Sequence, residues 1–312
     1  MVKNGQGRRI LYAILILLFL FPFFAPRFYV YLMSLVLLYG LLATSLNLVL
    51  GYGGMFQFHH CVFYGVGAYA TALILTKTQL HPIFAFLAAP LSGAMLSLIM
   101  GIICVRLSRL YFGMLQISLG SLVWAIVYRW YSFTGGDDGI HGIPVPEIIG
   151  STNGAYYFTL IITGISMFLL YLIVNSPFGK TLQGIRDNAL RSEMIGVNVK
   201  LHQLAALTIA GFFAGVAGML FVVVDTTVFP EMLFWTLSLE VLIMCLVGGW
   251  FSFLGPMLGA AVILTLRTIV STYTVYWALV LGITMTLVIF FLPNGILGFL
   301  EERLMRGKKA DA

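Results

Sequence analysis

Apolar stretches long enough to cross a bilayer, about 20 residues each, recur from one end of this 312-residue chain to the other with no polar stretch of domain size between them. That recurrence predicts an all-α polytopic membrane protein forming a single membrane domain, residues 1–312. Composition agrees: 61% of the residues are hydrophobic and 9% charged, with a mean hydropathy of +1.02, against roughly 25% charged in soluble domains. An ordinary soluble protein is excluded. The net charge of +6 does not point to nucleic acid, because the basic residues sit in short segments between apolar runs rather than on one face.

Reading the apolar runs against glycine, proline and charge gives ten expected spans: 10–25, 28–50, 58–76, 82–105, 111–133, 155–174, 203–224, 237–253, 255–273 and 275–292. An even count puts both termini on one side. With that side cytoplasmic, thirteen of the seventeen Lys and Arg fall inside, and Arg27, Lys77, Arg129 and Arg267 fall at or near the outer side. The longest outer loop, 134–155, carries Asp137, Asp138 and Glu147 and no Lys or Arg, so opposite charge lies on opposite sides. Lys3, Arg8 and Arg9 before the first run imitate a signal peptide, but the run is bulky and Ala25 precedes Pro26, so a retained first span is expected.

Two regions interrupt the pattern. Gly51, Gly53 and Gly54 open a stretch to His60 that reads as a tight loop or a re-entrant break, and Gly248, Gly249, Gly255 and Pro256 repeat the character later. Non-helical backbone at membrane depth survives only where protein or water surrounds it, and paired breaks mark substrate pathways in some transporters.

The inside loop 175–203 reads as a short surface helix. Ser176 caps it, Pro177 fits its first turn, Gly196 stops it, and Leu182, Ile185 and Ala189 form one apolar stripe. A membrane-surface helix and a docking helix for a cytoplasmic partner both fit this pattern. Gly179-Lys180-Thr181 imitates the end of a phosphate-binding loop, but the required earlier glycine is Val174, so no nucleotide is expected on this chain.

Polar residues inside apolar spans are the remaining signals. Asn47 reads as helix–helix glue or as pathway lining. His59 and His60, being vicinal, point to opposite sides rather than to one metal. His60 fits a buried hydrogen bond at the break or a substrate contact. Glu240 is expected to bond to the opposing glycine break, to pair with Arg267 or to relay protons. Asp137 and Asp138 among glycines suggest a loop that contacts a partner or a plain solvated turn, and their spacing is poor for a metal. The isolated Cys61, Cys104 and Cys245 read as packed free thiols. Gly211-x-x-x-Gly215 and Gly255-x-x-x-Gly259 predict close helix approach. No arrangement for hydrolysis or redox chemistry occurs, so no catalytic residue and no metal site is expected.

Four blocks resemble the LivM-like permeases of branched-chain amino acid ABC importers. They are Leu46 to Gly54 continuing through His60 to Tyr69, Thr134 to Ile140 with Gly142-Ile143-Pro144, Ser176 to Lys180 with Ile185 to Asn188 and Glu193 to Val199, and Phe212 to Gly218 with Ser238-Leu239-Glu240, Gly248-Gly249 and Leu254 to Ala261. The resemblance implies the ten-helix fold of vitamin B12-type importers in a bacterial inner membrane. It also implies a LivH-like second permease, two cytoplasmic ABC ATPases that bind ATP-Mg, and a periplasmic amino acid-binding protein. It makes the inside helix the coupling helix, with Arg186, Asp187, Glu193 and Gly196 at family-matched positions, and it places Asp137 and Asp138 toward the binding protein. The run Met55 to His60 departs from the family's Gln-Leu-Ser-Leu-Gly-His. Gln57 and His59 add bulk beside the expected pathway, where Asn47, Gln57, His60 and Glu240 are the candidate pathway or gate residues. Composition and span count alone also fit an ATP-independent secondary transporter or channel, and urea or a short-chain amide is an alternative cargo.

Overall fold

The computed structural model describes residues 16–107 and 109–276, with positions 279, 280, 282, 283, 286, 290 and 295–299 beyond them. Among these residues there is no strand, only an isolated antiparallel bridge between Ile140 and Val228. In chain order the principal helices are α1 (Arg27–Asn47), α2 (Cys61–Lys77), α3 (Pro82–Cys104), α4 (Arg109–Arg129), α5 (Thr152–Asn175), α6 (Pro177–Asp187), α7 (Ala189–Met194), α8 (Val199–Asp225), α9 (Trp235–Gly248) and α10 (Gly255–Tyr273). Six of the described helices, α1, α3, α4, α5, α8 and α10, are long and apolar enough to cross a membrane, and α2 and α9 are shorter apolar helices.

Each expected span from 28 to 273 therefore has its helix. The first, 10–25, is described only from residue 16, where 16–24 are helical, and most of 275–292 lies outside the described residues. Two spans are cut short at the helix breaks. The one placed at 58–76 starts at Cys61, because the run before it leaves the helix. The one placed at 237–253 stops at Gly248, because Gly249 takes φ +110°, a conformation only glycine adopts freely.

Local sequence starts the helices where first-turn chemistry allows. Pro82 and Pro177 open α3 and α6, where a missing N–H costs nothing. Side chains of Ser151, Asn188 and Asn198 accept from Gly154 (3.0 Å), Arg191 (2.9 Å) and Leu201 (3.1 Å) backbone N–H groups at the starts of α5, α7 and α8.

α1 and α8 form the centre. In each, 78% of the apolar window is buried, against 22% for α4 and 28% for α5, whose outer faces are left for lipid. Close approach at the centre rests on small residues. A Cβ on Gly215 of α8 would meet the Ala89 carbonyl of α3, and one on Gly67 of α2 would meet Gly215 itself, so the three helices pack backbone to backbone there. Gly255 and Gly259 likewise press α10 onto α9, at Gly249 and Met244.

The loops gather at two ends. At one, Lys77 donates to the carbonyls of Ser132 (3.0 Å) and Phe133 (2.6 Å), and Ile140 and Ile143 bond to Val228 (2.9 Å) and Thr226 (3.0 Å). This acidic end holds Asp137 and Asp138. The other, basic end holds α6, α7 and the ends of α1 and α9.

Candidate functional site

The first break is built from its glycines. After Asn47 the chain widens into a π turn, Leu48–Tyr52, and Gly54 turns left-handed at φ +65°. Residues 55–60 then run beside α4. A Cβ on Gly113 would touch Phe58 and the Phe56 carbonyl, and one on Gly120 would overlap the His59 ring. Gln57, His59 and His60 are fully buried while Phe56 between them and the turn is exposed, so non-helical backbone carries polar side chains into the interior here.

The two histidines diverge, as their adjacency predicts. His59 donates Nε2–H to the Leu233 carbonyl (2.7 Å) and lays its ring against Gly120 of α4, with Nδ1 3.2 Å from the Ile117 carbonyl, which holds the segment between α4 and the turn Pro230–Leu233. His60 places Nε2 2.9 Å from Ser45 Oγ, and that hydroxyl already donates to the Leu42 carbonyl (2.7 Å). The serine oxygen must therefore accept from His60 Nε2–H, which leaves Nδ1 as a bare acceptor with no partner. Helix α2 is anchored beside it by Cys61 N–H donating to Ser238 Oγ of α9 (2.9 Å).

The second break, residues 249–254, meets the first. Asn47 Nδ2 donates to the Ser252 carbonyl (3.4 Å), and a Cβ on Gly51 would overlap both Asn47 Oδ1 and the Trp250 carbonyl. Arg186 of α6 lies on both breaks. Its Nη1 donates to the Gly51 carbonyl (2.8 Å), its guanidinium sits 5.4 Å from the centre of the Phe251 ring, and Nε and Nη2 grip Asp187 Oδ1 (3.0 and 2.9 Å).

The loop helix differs from its expected form. Asn188 splits it, ending α6 in extended backbone and capping α7. The stripe residues Leu182 and Ile185 are buried in the chain's own core, while Ala189 falls beyond the split and is exposed. What projects instead is α7 with Leu190, Met194 and Ile195, beside exposed Glu193 and Gly196, the latter at φ +89° as a helix stop requires. Cys245 donates to the Ala43 carbonyl (3.1 Å), and all three cysteines are free and buried.

Glu240 takes the Arg267 option, with Nη1 3.0 and 3.3 Å from its two oxygens between α9 and α10. Asp137 and Asp138 lie exposed in a one-turn helix at the acidic end, where Tyr131 donates to Asp138 Oδ2 (2.8 Å). That bond holds the Tyr131 hydroxyl above the ordinary tyrosine range. No group of His, Cys, Asp and Glu among the described residues is clustered as metal ligands are.

Sequence reasoning missed Arg186's inward target, Phe251 and Gln116. Gln116 was findable: it is a lone amide in the apolar run of α4, the same signal that singled out Asn47.

The sequence profile of the branched-chain amino acid transport system permease component family matches residues 28–289. The chain is 26% identical to the high-affinity branched-chain amino acid transport system permease protein LivM of Escherichia coli, over 94% of this chain and 76% of that protein, and equally similar to the protein of that name from Salmonella typhimurium. It is 23% identical to a probable branched-chain amino acid transport permease protein LivM of Methanocaldococcus jannaschii, over 83% of this chain and 90% of that one. No solved structure gives a significant match. The match covers both helix breaks, the loop helices and the acidic turn, and with it the chain belongs to the family of branched-chain amino acid transport system permease components, multi-pass membrane proteins of transport rather than enzymes.

Proposed function

We propose that this chain is one permease subunit of an ABC importer for branched-chain or related amino acids, working by alternating access. The observation that carries the reading is Arg186, which ties the loop helix α6 to both helix breaks at once. A force applied at α7 reaches the breaks through α6 and this side chain. In this reading the basic end is cytoplasmic, the chain crosses a bacterial inner membrane ten times with both termini inside, and the helices adopt the vitamin B12-type arrangement.

Two cytoplasmic ATPases, holding the ATP-Mg, dock on α7, where Leu190, Met194 and Ile195 are exposed beside Glu193 and Gly196. Arg186 and Asp187 relay the motion inward. A LivH-like second permease completes the membrane unit, and a periplasmic amino acid-binding protein delivers substrate at the end carrying Asp137 and Asp138. Asn47, Gln57 and His60 line the pathway at the first break. Glu240, already paired with Arg267, serves as a structural contact of the gate.

The test is a reconstituted complex in which Arg186 and Asp187 are both reversed in charge. Substrate-stimulated ATP hydrolysis is expected to disappear, and unchanged coupling would sink the assignment. A chain that purifies alone and transports on an ion gradient would instead establish a secondary transporter. Ligand binding by the periplasmic partner separates amino acids from urea or short-chain amides.

A further inference from the structure

Most buried polar side-chain atoms without a partner among the described residues are single atoms, such as Asn47 Oδ1, His60 Nδ1 and the Trp250 N–H. At two residues, Gln57 and Gln116, both the oxygen and the nitrogen of an amide lack a partner, and neither residue is more than 1% exposed. Buried polar groups are nearly always satisfied, so a pair of wholly orphaned amides needs a reason.

Their positions supply one. Gln57 lies in the segment that runs beside α4, and Gln116 lies on α4 between Gly113 and Gly120, the two glycines that segment packs against. The stretch between those glycines is about 10 Å long, so both residues sit along one seam at the first break. His59 fixes that seam, bonded to the Leu233 carbonyl on one side and packed against Gly120 of α4 on the other. The hydrogen bonds that hold it, from His59 Nε2–H, His60 Nε2–H and the Cys61 N–H, go to a carbonyl and two hydroxyls rather than to charged groups.

We propose that Gln57 and Gln116 are this subunit's solute contacts, binding the α-carboxylate and α-ammonium groups of a zwitterionic amino acid. Together the amides offer four N–H donors and two carbonyl acceptors, which match a solute carrying both an anionic acceptor and a cationic donor. Being uncharged, they suit a solute of zero net charge and give lysine or glutamate no counter-charge. A site with no counter-charge of its own holds its solute less tightly than an ion-paired site would, as a permease that must release it requires. The inference rests on the importer reading above.

The test uses the complete complex in proteoliposomes, with radiolabelled leucine as the probe. Gln57→Leu and Gln116→Leu are each expected to raise the KM for uptake about tenfold, the size of effect that follows from about 1.4 kcal/mol of lost hydrogen bonding. The variants should still assemble, because each removes an orphaned amide from the interior. Should Gln57→Leu fail to assemble, Gln57→Met keeps the length of the side chain and carries the same expectation. An unchanged leucine KM in both positions would overturn the proposal and leave the amides as hydrated core groups. ATP-driven uptake by the unmodified complex separates the two failures: without it the importer reading falls, and with it an unaltered KM overturns only the solute site.

Discussion

The break after α1 and the break after α9 touch through Asn47 and Ser252, but they fill their space in different ways. The first carries buried polar side chains, Gln57, His59 and His60, each ring of the histidines tied to a neighbouring element, with Phe56 exposed at its edge. The second is short and partly open, with Phe251 56% exposed, and its closeness to α10 comes from glycine backbones, Gly248 and Gly249 against Gly255. Polar filling specifies contacts, whereas glycine packing specifies only distance. In the functional reading the first break therefore meets solute, and the second moves against it.

The largest effect expected on this contrast is from Gly51→Val. The added atoms would have to displace Asn47 Oδ1 and the Trp250 carbonyl, separating the breaks, and the protein should lose its monodisperse peak in size-exclusion chromatography. A normal peak with intact uptake would show that the breaks need not touch.

Next is Arg186→Ala, which removes a charged hydrogen bond to Gly51 and the contact with Phe251. A bond of this type contributes about 1.5–3 kcal/mol, so leucine imported per ATP hydrolysed should fall tenfold or more. Phe251→Ala removes only the ring contact, about 0.5–1 kcal/mol, and a loss of two- to fivefold is expected in the same assay. Equal losses would mean that Arg186 acts on the second break alone.

His60→Ala takes a buried ring and its bond to Ser45 from the first break. A loss of about 2–3 kcal/mol should appear as a melting temperature several degrees lower in detergent. The smallest effect is expected from Glu240→Gln, which weakens a partly exposed ion pair contributing about 1 kcal/mol or less. Uptake should keep its pH profile, and a shifted profile would reinstate the proton-relay reading of this carboxylate.

Much of this architecture is legible in the sequence because helix boundaries obey local chemistry. Pro82, Pro177 and the Gly255-Pro256 pair mark starts, the runs between them mark spans, and Gly196 marks a stop. The candidate site is less legible. The stripe of Leu182 and Ile185 says that one face of α6 is covered, but periodicity carries no information on what covers it, and the covering turned out to be the chain's own core. Asn188 reads equally well as a mid-helix residue and as a cap until its backbone conformation is seen. Arg186 reads as a surface charge because its target is a carbonyl freed by the π turn, and no residue type announces a free carbonyl. Glu240 and Arg267 are 27 positions apart, and only the antiparallel packing of α9 and α10 selects that pairing from the options the sequence left open.

At the acidic end, Tyr31 of α1 donates to Asp225 at the end of α8 (2.8 Å), and Thr227 bonds the other oxygen of the same carboxylate (2.7 Å). The two central helices are thereby riveted at one end, while Gly51, held by Arg186, lies near the other. From Tyr31 to Gly51 is about 30 Å of helix. If the importer reading holds, a rivet at one tip and a grip at the other let α1 act as a lever, and each degree of tilt about Tyr31 would swing the gripped tip by about 0.5 Å, given that length. In the importer reading, a small rotation at the riveted tip is thereby magnified at the breaks.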